Sequence, residues 1–232
     1  MIKKALILLS IVTFFSEIAH SQTIKGLYIK QQIKSIGEDS KLSKNAKEPE
    51  IYEYTFSENF SSQVLVNKGK TTIDTIKKKH ETYDIEIEST VKTIKNSKSI
   101  LIKDFKNASY EMNYVRDNEE TYIKDKIPVY NWEIFEEYKE VSGFKCKKAT
   151  TIMESYGYKL NITAWFSEEI PLNDGPITFS GLPGLILELN CANLFIITFR
   201  NFTFEEKTVT KIPPIETNTK PQTVNELEKS YR

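Results

Sequence analysis

FKCKKATTIMESYGYKLNITAWF, residues 144–166, decides the fold class. Successive side chains on a strand point to opposite faces, so a period of two is its signature. Phe144, Cys146, Lys148 and Thr150 fall on one side, and Lys145, Lys147, Ala149 and Thr151 on the other. Gly157 marks a turn. Tyr158, Leu160, Ile162, Ala164 and Phe166 then share one face, with Trp165 opposite. Upstream, Val141-Ser142-Gly143 reads as another turn, and Tyr130, Trp132 and Ile134 line up on one side of the segment before it. A strand–turn–strand–turn–strand unit with one apolar face results.

The same reading extends in both directions. Leu185 to Leu189 and Leu194 to Phe204 carry apolar groups on both faces, as strands at a buried sheet centre do. Residues 23–36, Ile51 to Phe56 and Ser61 to Val66 read as strands, the last closed by Asn67-Lys68-Gly69-Lys70. Between residues 71 and 128 come five further short runs, separated by charged tips such as Arg116-Asp117-Asn118-Glu119. Thr223-Val224-Asn225-Glu226 is a capping box in front of a short terminal helix. The pattern predicts an all-β chain: a single large curved antiparallel meander, open or half-closed, with one or two short helices.

Composition agrees. Aromatics make up 12% of the 232 residues, and only eight are glycine, a mix that suits sheets. Lys3 and Lys4, the apolar run Ala5 to Phe15, and Ala19-His20-Ser21 have the three-part layout of a secretory leader, with cleavage expected before Gln22. Glu17 and His20 interrupt the run well short of the ~20 apolar residues of a spanning helix. Residues 1–21 therefore read as a signal peptide and 22–232 as one β-rich domain. No cysteine stands at the cleavage point to take a lipid. The expected compartment is the periplasm or the cell exterior, with no transmembrane span after cleavage. Basic and acidic residues number 32 each, so no general attraction to nucleic acid is expected. Cys146 and Cys191 leave two readings open, a disulfide in an oxidising compartment or two buried thiols.

Residues 171–190 hold most of the remaining information. Asp174-Gly175-Pro176 makes one turn. Leu182-Pro183-Gly184-Leu185 fits a type II turn, with proline at the second position and glycine at φ > 0 at the third. Gly181 would then permit close backbone approach. The string Gly181, Leu182, Pro183, Gly184, Leu185, Ile186 resembles the signature of the GLPGLI family of exported bacterial proteins. Trp132, Gly143-Phe144, Cys146-Lys147-Lys148-Ala149, Ala164-Trp165-Phe166, Ile170-Pro171 and Gly175-Pro176 follow in that family's order. The firm resemblance covers roughly residues 130–190. A basic residue often stands in the family where Tyr158 stands here, so no role for that charge carries over. The resemblance implies export and an association with outer-membrane transport or surface systems. It implies no catalytic residue, because the family has no established activity.

Chemistry-bearing patterns are sparse. Gly181 to Gly184 lacks the lysine and hydroxyl of a phosphate loop and the glycine spacing of a dinucleotide site. After cleavage only His80 remains, without a second histidine or cysteine at metal-ligand spacing; neither a metal nor a cofactor is expected. Glu168, Asp174 and Glu188 are the carboxylates nearest the motif and the candidates for acid–base work. Trp132, Trp165 and Asp174 are the candidates for facing a ligand. Three functions follow: a non-catalytic envelope module that binds an apolar ligand or an outer-membrane partner, a hydrolase built on those carboxylates, or a structural subunit of an envelope complex.

Overall fold

The computed structural model describes residues 22–34, 44–79, 86–206 and 209–231. The leader, residues 1–21, and His80 lie outside the described residues. Among the described residues thirteen strands run in order: β1 (Gln22–Gln32), β2 (Glu50–Ser57), β3 (Phe60–Leu65), β4 (Thr72–Lys79), β5 (Glu86–Thr93), β6 (Asn96–Asp104), β7 (Ser109–Arg116), β8 (Glu119–Lys126), β9 (Glu133–Val141), β10 (Phe144–Ser155), β11 (Tyr158–Ser167), β12 (Leu185–Cys191) and β13 (Phe195–Glu206). The same residues hold two short helices, α1 (Lys44–Lys47) and α2 (Val224–Ser230). None of the described helices is long and apolar enough to cross a membrane.

The all-β antiparallel expectation is met by one 11-stranded sheet, ordered β8-β7-β6-β3-β2-β1-β13-β12-β11-β10-β9, with β4 and β5 as a separate hairpin. Within that single sheet the meander has two arms. β1 to β8 run outward one way, β13 back to β9 the other way, and the first and last strands pair at the centre. β8 and β9 are therefore opposite edges, yet only residues 127–132 join them. Flat, an 11-stranded sheet would hold its edges about 48 Å apart, whereas this link spans at most roughly 25 Å. The sheet must curl into a bowl. β8 and β9 do not pair, so the bowl does not close into a barrel.

Two apolar clusters sit inside the curl. The larger joins Tyr28, Tyr54, Ile162, Phe166, Leu187, Leu189, Ile197 and Phe199 with Ile170, Phe179 and Leu182 of the loop between β11 and β12. The smaller joins Leu101, Tyr110 and Ile123 with Leu227 of α2. Ile177 packs against both. Helix α2 begins at the capping box expected from Thr223 and Glu226.

Three local expectations change. Tyr130 and Trp132 lie on the link between β8 and β9, not on a strand. β10 has no single apolar face: Cys146 is buried on one side of the alternation, and Ala149 and Thr151 on the other, where they stand opposite the buried Ala164 and Ile162 of β11. The disulfide is not formed; Cys146 and Cys191 are free, buried thiols. Cys191 pairs with Ile162 on β11, and Ile162 pairs with Thr151 on β10. Cys146 is thus two strands away and five residues up its strand, about 20 Å at standard spacings and far beyond the ~7 Å a disulfide tolerates.

Candidate functional site

The loop between β11 and β12, residues 168–184, folds back onto the inner face of the bowl and plugs part of it. Its backbone joins the end of the sheet: Leu185 N donates to Ile170 O at 3.0 Å, and Ile186 N to Asp174 O at 3.0 Å. From the link, Trp132 Nε1 donates to Ser180 O at 2.8 Å, and the Tyr130 ring stacks on Phe179 at 4.8 Å.

The two motif glycines exchange the roles expected of them. Gly181 carries the positive φ, at +100°, and Gly184 does not, so Leu182–Leu185 is not a type II turn. A Cβ on Gly184 would stand 2.2 Å from Ser167 O. Gly184 is the close-approach position, where the plug's last turn presses on the end of β11. Upstream, a Cβ on Gly175 would lie 2.8 Å from the Ile186 Cβ, so the Asp174-Gly175-Pro176 turn is seated against the strand that ends the motif.

Polar groups from four adjacent strands hold the plug from below. Lys103 of β6 forms an ion pair with Asp174, and both side chains are wholly buried. Lys103 Nζ also donates to Gly175 O at 2.9 Å and Phe179 O at 3.1 Å. Tyr54 OH of β2 donates to Asp174 Oδ2 at 2.8 Å, and Gly175 N to Asp174 Oδ1 at 2.7 Å. Gln63 of β3 accepts from Ile177 N at 2.7 Å and donates to Ile177 O at 3.1 Å, while Tyr28 OH of β1 donates to Gln63 at 2.8 Å. Burial draws the Lys103 ammonium down from its ordinary value, and the Asp174 charge and hydrogen bond push it back up. Burial first, then the Asp174 charge, raises Tyr54. Burial first, then neighbouring Tyr52, Glu50 and Asp174, raises Tyr28. Both stay neutral donors.

Ile177 sits at φ +53°, a conformation that is an outlier for a β-branched residue and costs on the order of 1–3 kcal/mol. The paired Gln63 bonds hold it there. Beside it the bowl stays open. A cleft of about 300 Å³ is lined by Tyr28, Tyr52, Leu101, Met112, Tyr114, Ile123, Tyr156, Ile177, Val224 and Leu227, with Gln63, Asn96, Ser99, Lys30 and Arg116 among its polar groups. Its volume is at the low end for a small-molecule site, roughly 300–1,000 Å³.

The sequence-predicted residues fall elsewhere. Asp174 is beneath the plug in its ion pair. Trp132 is half-buried against the plug. Trp165 pairs in register with Lys148 and Glu188 and carries the Lys139 ammonium 4.6 Å from its ring centre. None of the three lines the cleft. Glu168 is exposed, Glu188 is paired with Lys139, and Asp174 is paired with Lys103. These carboxylates occupy three separate environments and do not face one substrate. Among the described residues no three His, Cys, Asp or Glu side chains gather to hold a metal ion. The sequence alone does not mark Tyr28, Tyr54, Gln63, Lys103 and Arg116 as site residues. The one signal for Lys103 is its place in Leu101-Ile102-Lys103, on the parity that Leu101 shares.

The family described as "Protein of unknown function (Porph_ging)" matches residues 153–188, the stretch from the end of β10 through the plug into β12. None of the curated proteins matches the chain. Among solved structures, the chain is similar to PNGF-II in the P21 space group, with TM-score 0.50 and 12% identity, over 90% of this chain and 33% of that one. PNGF-II in the C2 space group gives TM-score 0.48 and 13% identity, over 90% and 32%. The chain spans about a third of the length of the structures it matches. At such identity the likeness is one of fold alone.

Proposed function

We propose that this chain is an exported, non-catalytic GLPGLI-type protein of the periplasm or cell surface that holds a small, mostly apolar ligand in the cleft between the plug and helix α2. One observation carries the reading: the curled sheet is filled on one side by the plug but leaves a cleft walled by tyrosines and aliphatic side chains on the other. A preformed, mostly apolar concavity with a few convergent polar groups is the usual form of a small-molecule site. The leader layout of residues 1–21 supports export, and the Gly181 to Ile186 string supports the family. The separation of Glu168, Asp174 and Glu188 speaks against the hydrolase reading.

Native mass spectrometry of the protein purified from an envelope fraction, with and without crosslinking, tests this. A small-molecule adduct that is lost on Val224→Trp, a change that fills the cleft, is the expected result. A stoichiometric protein partner with no adduct would replace this reading with that of a structural subunit.

A further inference from the structure

The cleft does not end at its aromatic wall. A second hollow of about 260 Å³ is lined by Lys30, Gln32, Lys34, Ala46, Glu48, Glu50, Ile94, Lys95, Asn96, Arg116, Leu194 and Phe195. Lys30, Asn96 and Arg116 line both hollows, so the two are adjacent chambers with those residues at the waist between them. The chambers differ in chemistry. The inner one is aliphatic and tyrosine-lined. The outer one holds four cations, Lys30, Lys34, Lys95 and Arg116, against two carboxylates, Glu48 and Glu50.

Part of that charge is already matched. Lys30 Nζ donates to Glu50 Oε2 at 2.9 Å, and Tyr52 OH to the same oxygen at 3.4 Å. Among the described residues Lys95 Nζ reaches only a backbone acceptor, Glu48 O. Burial lowers its ammonium from the ordinary value despite the opposing pull of Glu50 and Glu48, so an added anion would relieve it. Arg116 makes no ion pair among the described residues, and its planar donor set suits carboxylate and phosphate.

We infer that the ligand is an amphipathic anion, with its apolar body in the inner chamber and a carboxylate or phosphate head at Arg116 and Lys95. This inference rests on the cleft reading above and adds the sign of the head group. Asn96 at the waist supplies a neutral polar contact, and Ile177 is the plug's own apolar wall of the inner chamber.

Calorimetric titration of the purified protein with decanoate, decyl phosphate and decanol tests it. Either anion should bind more tightly than decanol, and the tighter of the two identifies the head group. Arg116→Met should weaken anion binding about tenfold, the loss of one charge-assisted hydrogen bond, and so narrow the gap between the anions and decanol. Val224→Trp should abolish binding of all three. Equal binding of decanol and both anions, or anion binding indifferent to Arg116→Met, overturns the head-group inference and leaves the cleft reading standing. Failure of all three to bind overturns the cleft reading itself.

Discussion

Lys103 and Asp174 form an ion pair with neither side chain reaching solvent, and it joins the sixth strand to a loop seventy-one positions later in the chain. Removing one partner of such a pair leaves a buried charge and costs about 3–5 kcal/mol, whereas replacing both with apolar groups of similar size is often near neutral. Lys103→Met and Asp174→Leu should each destabilise by that amount in urea unfolding. The double variant should lose less than the sum of the two, but not return to the parent value, because Tyr54 OH and Phe179 O lose their partners in it as well. Additive losses would mean that the two residues act independently.

Gly181 and Gly184 should respond differently to alanine. Gly181→Ala places a side chain at φ +100° with only the Trp132 ring nearby, at 3.4 Å, and should cost about 1–2 kcal/mol of backbone strain. Gly184→Ala drives a Cβ into the Ser167 carbonyl, also backbone, and should cost about 3 kcal/mol or more. Thermal melts of the two variants rank them; the reverse order would mean the motif is a conformational turn after all.

The free thiols predict an alkaline effect. Burial pushes Cys191 up from 9.0 to about 11 and Cys146 to about 12. An acid whose pKa is raised in the fold holds its proton longer there than in the unfolded chain. Its contribution to stability is whole below the unfolded value and falls as pH rises from about 9 toward 11. Cys191→Ala should therefore flatten the decline in urea midpoint over that window. Both thiols should resist alkylation in the native protein at pH 8 and react on unfolding.

Helix α2 is a short element that walls the cleft with Val224 and Leu227. Its Thr223–Glu226 capping box is complete, with Thr223 N donating to Glu226 Oε2 at 2.7 Å and Glu226 N donating to Thr223 Oγ1 at 3.2 Å. Thr223→Ala should cost about 1 kcal/mol. The loss should show as faster hydrogen exchange in residues 224–231, with β11 to β13 unchanged.

Much of this architecture is legible in the residues. The alternation in Tyr158 to Phe166, the two-faced apolar run of β12 and the Thr223 capping box each depend on local chemistry, and each appears as expected; β13 departs from its reading, since only Ile197 and Phe199 are buried and Arg200, Asn201, Thr203 and Phe204 are exposed. What depends on distant pairing is not legible there. Nothing near Gln22 or Glu206 announces that the first and last strands meet, and it is this pairing that splits the meander and curls the sheet. The glycine roles were exchanged for the same reason: the obstacle to a side chain at Gly184 is Ser167, which reaches it only through the fold. Lys103 looks like a surface lysine until the plug arrives above it, and Asp174 looks like a free carboxylate until Lys103 rises beneath it. The cleft draws Arg116 from the end of β7 and Tyr156 from the turn between β10 and β11, and no spacing in the chain relates them.

The central claim is that residues 168–184 are a buried structural plug, clamped through Asp174, which leaves the rest of the bowl free as a cleft. Hydrogen exchange of the amides of Gly175, Ile177 and Ile186 measures this directly. Slow exchange in the unaltered protein, with Gly175 and Ile177 released by Asp174→Leu while β11 and β13 stay protected, is the predicted result. Exchange of Gly175 and Ile177 at the rate of an open surface loop in the unaltered protein would contradict it.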